Sequence, residues 1–142
     1  QWFLFPPPVN TEMLRDADYI LISHGHLDHL HRQSLCGLPK TAHVFYPYLW
    51  QAGIRPFLEE LGYSKITEAV SYKKYKLGSG VQITFLTTSM DTTMVIESEG
   101  KVLVNLNDSL NAHHPNVVKL FTAEIKKHWK KIARATLQRK PL

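Results

Sequence analysis

SHGHLDHLH, residues 23–31, contains four histidines and one aspartate within nine positions. It follows the short apolar run at residues 19–22, and turn-forming residues precede that run, so the sequence predicts a buried strand over residues 19–23 with the histidines at its exit. Neutral imidazole is the commonest protein ligand for zinc and also binds iron, nickel and copper, and a carboxylate adds an anionic oxygen. A single histidine at a strand end is usually a satisfied surface or core residue, but four grouped in this way favour a metal site.

The spacing within this stretch indicates how two ions would be held. Side chains two positions apart on a turn that leaves a strand can point the same way, so His24 and His26 are predicted to bind one ion. Asp28 and His29 would reach a second ion about 4 Å away. His31 is interpreted as a surface residue. Ser23 is a candidate to hydrogen-bond the ligands from behind, with backbone capping as its alternative role.

The composition is that of one ordinary globular domain. The chain has 142 residues, of which 44% are apolar and 20% charged. No run approaches the roughly 18 consecutive apolar residues that cross a bilayer. The single cysteine, Cys36, excludes an intramolecular disulfide and a cysteine-rich zinc module, and it suits a reducing compartment. We therefore expect a soluble, cytoplasmic protein without a membrane span.

The net charge of +5 is concentrated at one end of the chain. Residues 1–118 carry nine Lys and Arg against eleven Asp and Glu, whereas residues 119–142 carry eight against one. Apolar residues in this last part recur at helical spacing, which predicts a basic amphipathic helix over residues 115–140. Such a helix is more often a solvated face or a partner surface than a nucleic-acid site, so nucleic acid is not the expected partner.

The remaining pattern predicts alternating helices and strands in a single domain, residues 1–142. Residues 1–10, with three consecutive prolines, are interpreted as an extended arm. Pro56 is expected to kink or split one of the helices. The strand pair at the end of the series reads as a hairpin with a two-residue turn at Glu99-Gly100. The predicted helices cover residues 30–38 and 49–62, and the predicted strands cover residues 42–46, 69–77, 81–87, 93–98 and 101–106.

His24-Gly25-His26-Leu27-Asp28-His29 resembles the H-x-H-x-D-H signature of the metallo-β-lactamase superfamily, which that family also carries after a strand. Residues 101–108 resemble the family's later strand, which ends in an aspartate that bridges the two metals, so Asp108 is the fifth candidate ligand. The resemblance implies an α/β (α+β layered) fold, a partial αββα sandwich with the metals held by loops at one edge of the paired sheets.

Within the superfamily, residues 90–97 and the hairpin after them look most similar to the metallo-β-lactamase-like part of CMP-N-acetylneuraminic acid hydroxylase and its bacterial relatives. There the fold accompanies a Rieske iron–sulfur segment, whose ligands include two cysteines. This chain has one. It therefore lacks that segment.

The chain departs from the family pattern in two places. The family places a further metal-binding histidine before the strand at residues 93–98, but no histidine occurs between His43 and His113. Asp91, His113 and His114 are the possible additional ligands. The chain is also expected to lack the family's N-terminal strands and its C-terminal closing segment. The sheet edge exposed in this way would favour a homodimer or a missing partner domain.

The resemblance implies a metal-dependent hydrolase of small molecules, in which metal-bound hydroxide attacks an ester, amide or phosphodiester. The expected cofactors are two divalent ions, zinc first, with iron or manganese as alternatives. Asp28 would be both a ligand and the catalytic proton acceptor. Two other functions stay open: a domain of a sialic-acid-hydroxylase-type oxygenase, and a non-catalytic relic or binding module.

Overall fold

The computed structural model describes residues 11–48, 53–87 and 91–108, together with the single positions 123 and 126. The predicted arm at residues 1–10 lies outside these ranges, as does nearly all of the predicted helix at residues 115–140. The chain divides into two compact units, residues 1–46 with 51–68 and residues 47–50 with 69–142. The prediction of a single domain stays a prediction. Within the described ranges, none of the helices could span a membrane.

The first unit is built on a three-stranded sheet in the order β1-β2-β3. A short 3-10 turn at Thr11–Leu14 leads into β1, and β1 pairs with β2 in parallel, Tyr19 opposite His43 and Leu21 opposite Phe45. A parallel pair needs a crossover connection, and this one contains the loop at residues 22–31 and the helix at residues 32–36. The elements are β1 Tyr19–Leu21, α1 Arg32–Cys36, β2 His43–Pro47, α2 Ile54–Glu60 and β3 Ile66–Ala69.

Apolar side chains from both helices and the sheet form the core of the first unit. Val44 and Leu58 are fully buried, and each such side chain contributes about 1.5–3 kcal/mol relative to an exposed position. Tyr63 is also buried, and its hydroxyl donates a hydrogen bond to the Leu35 carbonyl oxygen at 2.7 Å, which ties the end of α1 to the segment after α2. The core comprises Ile20, Ile22, Leu30, Leu35, Ala42, Val44, Tyr46, Ile54, Leu58 and Tyr63.

Helix α2 contains Pro56 without a kink, so the predicted break was wrong. The helix begins after its N-cap Gly53, which places Pro56 in the first turn, where backbone amides have no partner within the helix. The first helical hydrogen bond runs from the Phe57 amide to the Gly53 carbonyl oxygen. Gly62 follows the C-cap with φ +90°, as expected for a helix stop. Residues 49–52 lie outside the described residues.

The second unit is an antiparallel sheet in the order β4-β5-β6-β7, formed by strands consecutive in sequence. Leu86 and Val95 are buried and pack with Val102 and Val104. Glu99 and Gly100 have φ of +48° and +75°, the left-handed pair of a type I′ turn, so the predicted β6–β7 hairpin is confirmed. The strands are β4 Lys74–Lys76, β5 Gln82–Thr87, β6 Thr92–Ser98 and β7 Lys101–Asn105.

The strand predicted over residues 69–77 was wrong, because the chain turns in its middle. β3 ends at Ala69 and β4 begins at Lys74, and the two strands belong to different sheets. Between them Tyr72 adopts φ +64°. The Tyr75 hydroxyl accepts a hydrogen bond from the Val70 amide at 2.8 Å and so stabilises the turn.

Candidate metal centre

The candidate ligands lie on the loop that follows β1. The sheet fixes the first end of this loop, and a tight turn fixes the other. The Ile22 amide donates to the Phe45 carbonyl oxygen at 2.9 Å, which extends the pairing with β2 up to the first histidine. The His26 carbonyl oxygen then accepts from the amides of His29 and Leu30 at 3.0 and 2.7 Å. These two hydrogen bonds fold the loop back on itself and bring residue 29 next to residue 24.

The loop groups the imidazoles of His24, His26 and His29. His24 Nε2 lies 2.9 Å from His26 Nδ1, with the two rings edge to face at 85°. The ring centroids of His24 and His29 are 4.2 Å apart. The structure therefore brings three of the predicted ligands into one cluster. Their role as ligands stays a prediction.

The cluster is buried on one side and open on the other. His24 is fully buried, and the His29 side chain is 26% exposed. Asp28 is 76% exposed, with its Oδ2 atom 3.6 Å from His29 Nε2. His26 is exposed. A small molecule thus has access to the His26 and Asp28 side, while His24 forms the floor.

Ser23 lies behind the rings and is itself buried, with 4% of its surface exposed. Its Oγ atom is 3.0 Å from His24 Nδ1 and 3.4 Å from His29 Nδ1. The structure therefore favours the hydrogen-bonding role of this residue that the sequence suggested. A hydroxyl can donate one hydrogen bond and accept two, so one oxygen is able to serve both rings.

The donor set fits a transition-metal or zinc ion. Imidazole nitrogens that share an ion at bond lengths of about 2.0–2.1 Å lie about 2.9 Å apart in octahedral geometry and about 3.3 Å apart in tetrahedral geometry. The 2.9 Å separation of His24 Nε2 and His26 Nδ1 lies at the short end of this range and also allows a hydrogen bond between the two rings. His29 Nε2 and Asp28 Oδ2 form a second nitrogen–oxygen pair beside the first. Histidines that bind metal commonly have a partner on their other ring nitrogen, and Ser23 occupies that position here.

The two aspartates predicted from the distal part of the chain belong to the second unit. Asp108 is exposed in the turn after β7. Asn107 tethers this turn, because its side-chain amide donates to the Thr92 carbonyl oxygen at 3.0 Å. Asp91 is 6% exposed and accepts a hydrogen bond from the Thr92 amide at 2.6 Å. Both aspartates thus lie at the same end of the β6–β7 pair, and their metal-binding roles stay predictions. His113 and His114 lie outside the described residues.

His31 stands apart from the imidazole cluster. It is exposed at the N-cap position of α1, and its Nδ1 atom lies 3.0 Å from Ser34 Oγ. This exposed position agrees with the interpretation of His31 as a surface residue. Its serine contact resembles the one between Ser23 and His24 but is made outside the cluster.

A cleft of about 640 Å³ adjoins the loop at residues 22–31, the ligand loop, within the first unit. Apolar side chains form most of its wall, and the guanidinium of Arg32 lies at 4.9 Å over the Phe57 ring and pairs with Glu60 at 2.9 Å. The sequence did not predict this cleft, because α2 lies more than twenty residues from the loop. The lining residues are Gly25, Leu27, Leu30, His31, Arg32, Gly53, Ile54 and Phe57.

Solved structures of enzymes are similar to this chain. The diiron β-hydroxylase CmlA from Streptomyces venezuelae has a TM-score of 0.55 and 20% identity over 61% of this chain and 19% of the hydroxylase. A mutant of the same hydroxylase has a TM-score of 0.54 and 21% identity, over 61% of this chain and 20% of the mutant. The isothiocyanate hydrolase from Delia radicum gut bacteria has a TM-score of 0.51 and 16% identity, over 68% of this chain and 42% of the hydrolase.

These neighbours are metallo-β-lactamase-fold proteins. The chain has a metallo-β-lactamase-like fold. The predicted α/β fold class is thereby confirmed, and the particular likeness to the sialic-acid hydroxylase stays a prediction. The chain spans about a fifth of the diiron hydroxylase and 42% of the isothiocyanate hydrolase. No protein-family model matches the sequence, and no curated protein sequence matches it.

Proposed function

We propose that this chain is a metal-dependent hydrolase of small molecules that carry an ester, amide or phosphodiester bond. The observation that carries the proposal is the packing of three imidazoles around one another at the exit of β1, with ring nitrogens of His24 and His26 at 2.9 Å. Three imidazoles grouped in this way suit a bound cation, because each ring can present one nitrogen lone pair. The isothiocyanate hydrolase, which shares the fold, is a hydrolase by name.

Two divalent ions, zinc first with iron or manganese as alternatives, would be held by His24, His26, Asp28, His29 and Asp108. Asp91, His113 and His114 are the further candidates. When bound, such ions lower the pKa of a water molecule and polarise the oxygen of the bond under attack. The separate His24–His26 and Asp28–His29 pairs support a two-ion site.

The residues around the ions would bind the substrate and move the proton. Asp28 is exposed next to His29, which suits a carboxylate that accepts a proton on the open side of the site. The cleft beside Gly25 and Leu27 is apolar, so it fits the apolar part of a small substrate. Arg32 on the wall of this cleft is paired with Glu60 at 2.9 Å.

An oxygenase function is the second candidate, because the similar CmlA is a diiron β-hydroxylase. The two functions differ in what they consume. A hydrolase needs only a divalent metal and water, whereas an oxygenase also needs dioxygen and a reductant. Two assays therefore separate the two functions. The first measures hydrolysis of an ester, an amide and a phosphodiester under nitrogen. The second measures oxygen uptake by the iron-loaded protein in the presence of a reductant.

Elemental analysis after purification without chelator tests the proposal. We expect two ions per chain in the wild type and about one in Asp108→Ala, together with hydrolysis that Asp28→Asn lowers. A matched control is Asp16→Ala, which removes an exposed carboxylate that is not one of the candidate ligands. A wild-type chain that binds no ion after incubation with Zn²⁺ or Fe²⁺ would point to the non-catalytic module instead.

A further inference from the structure

We propose that Ser23 is a positioning residue whose hydroxyl oxygen accepts hydrogen bonds from the Nδ1–H groups of His24 and His29 and so turns both Nε2 lone pairs toward the metal site. This inference rests on the proposed metal-binding function. Its physical basis is a single buried oxygen within reach of two ring nitrogens, at 3.0 Å from His24 and 3.4 Å from His29.

The position of the proton in this contact decides which ring nitrogen is available for a metal. Neutral imidazole carries its proton on one nitrogen only, and the other nitrogen offers a lone pair. A ring that donates from Nδ1 therefore has Nε2 available for a metal, whereas a ring that accepts at Nδ1 carries its proton on Nε2 and is blocked there. Ser23 leaves Nε2 of both rings available for a metal only if it accepts a hydrogen bond from both Nδ1–H groups.

The surroundings of Ser23 make it the group that selects the tautomer. Ser23 is 4% exposed and His24 is fully buried, so solvent has little access to this side of the rings. On the other side, His24 Nε2 faces His26 Nδ1 at 2.9 Å, and His29 Nε2 faces Asp28 Oδ2 at 3.6 Å. Nε2 of both rings thus points at a neighbouring candidate ligand, and Nδ1 of both points at Ser23. We expect the effect on His24 to exceed that on His29, because its contact is shorter.

The experiment compares Ser23→Ala with Ser23→Thr, which keeps a hydroxyl. Ser34→Ala is the matched control, because it removes a serine contact of similar length, 3.0 Å to His31 Nδ1, outside the cluster. Zn²⁺ affinity is measured by competition with a chromophoric chelator. Loss of a partner behind a ligating histidine typically weakens metal binding about 10–100-fold. We expect that loss in Ser23→Ala and wild-type affinity in the other two variants.

A second readout needs no metal. Long-range ¹H–¹⁵N spectra of the metal-free chain, recorded near pH 8 so that ordinary imidazoles are neutral, report the tautomer of each ring. We expect His24 in the Nδ1–H form in wild type and Ser23→Thr, and a mixture in Ser23→Ala. A wild-type His24 protonated on Nε2 would overturn the inference, as would equal losses of affinity in Ser23→Ala and Ser23→Thr. A wild type that binds no Zn²⁺ would instead overturn the metal-binding function, with the tautomer still measurable.

Discussion

His26→Ala is the substitution that tests the metal centre most cleanly. The side chain is exposed, so its removal leaves no internal cavity. The metal-free protein loses only the contact between His26 Nδ1 and His24 Nε2, which amounts to about 0.5–1.5 kcal/mol in the free energy of unfolding. His24→Ala would be less informative, because it also empties a fully buried position.

The expected effect on metal binding is much larger. Loss of a group behind a ligand weakens binding about 10–100-fold, so we expect loss of the ligand itself to weaken it by at least about 100-fold. At a free Zn²⁺ concentration of 100 times the wild-type Kd, binding stabilises the folded state by about 2.7 kcal/mol. With a Kd raised 100-fold, the same concentration gives RT ln 2, about 0.4 kcal/mol. The metal-dependent gain in stability should therefore fall by about 2.3 kcal/mol.

Urea unfolding with and without Zn²⁺ measures this difference. His31→Ala is the control, because His31 is an exposed histidine close in sequence that contacts Ser34 instead of the cluster. We expect the control to keep the full 2.7 kcal/mol, to within about 0.5 kcal/mol. If His26→Ala keeps the Zn²⁺-dependent gain, or if His31→Ala loses as much, the assignment of His26 as a ligand is wrong.

Three further predictions concern the stability of the fold. Tyr63→Phe should lower the free energy of unfolding by about 1 kcal/mol, because the buried hydroxyl no longer donates to the Leu35 carbonyl oxygen. Burial and the nearby Lys65 lower the pKa of His43, so protonation favours the unfolded chain, and stability should fall as the pH drops below about 6.5. His43→Gln should make that fall shallower in urea titrations at several pH values. Gly100→Val should cost about 1–2 kcal/mol, because the turn requires φ +75°.

Each of these three predictions has a control variant. Tyr48→Phe removes a hydroxyl from a 62% exposed ring and should change stability by less than about 0.5 kcal/mol. His31→Gln should leave the wild-type pH dependence in place. Gly100→Asn should be milder than Gly100→Val, because Asn tolerates the left-handed region. A Cβ at this glycine meets no atom within 4 Å, so equal losses in the two variants would contradict the conformational explanation.

The parts of the fold that local chemistry determines could be predicted from the sequence. The apolar run before the histidines indicated β1, and Glu99-Gly100 between two β-branched runs indicated the hairpin. The grouping of His24, His26 and His29 was also accessible, because a loop of a few residues leaving a strand has little freedom to separate them.

The predictions that were wrong concern segments in which the local sequence pattern and the tertiary structure disagree. Val70 and Tyr72 continue the apolar pattern of a strand, yet they lie in a turn and are 57% and 49% exposed. Pro56 breaks a helix only if the helix extends well before it, and α2 begins two residues earlier, at Ile54. The cleft could not be predicted, because it forms where α2 packs beside the ligand loop, and no local sequence pattern indicates that packing.

The parallel pairing of β1 with β2 places the ligand loop inside one strand–loop–helix–strand unit, residues 19–47. All three clustered imidazoles and Asp28 therefore belong to one short continuous segment, whose first and last strands are neighbours in the sheet. A protein engineer could graft this segment into another parallel sheet and so transfer those four side chains together. The carboxylate proposed at Asp108 would have to come from the recipient scaffold.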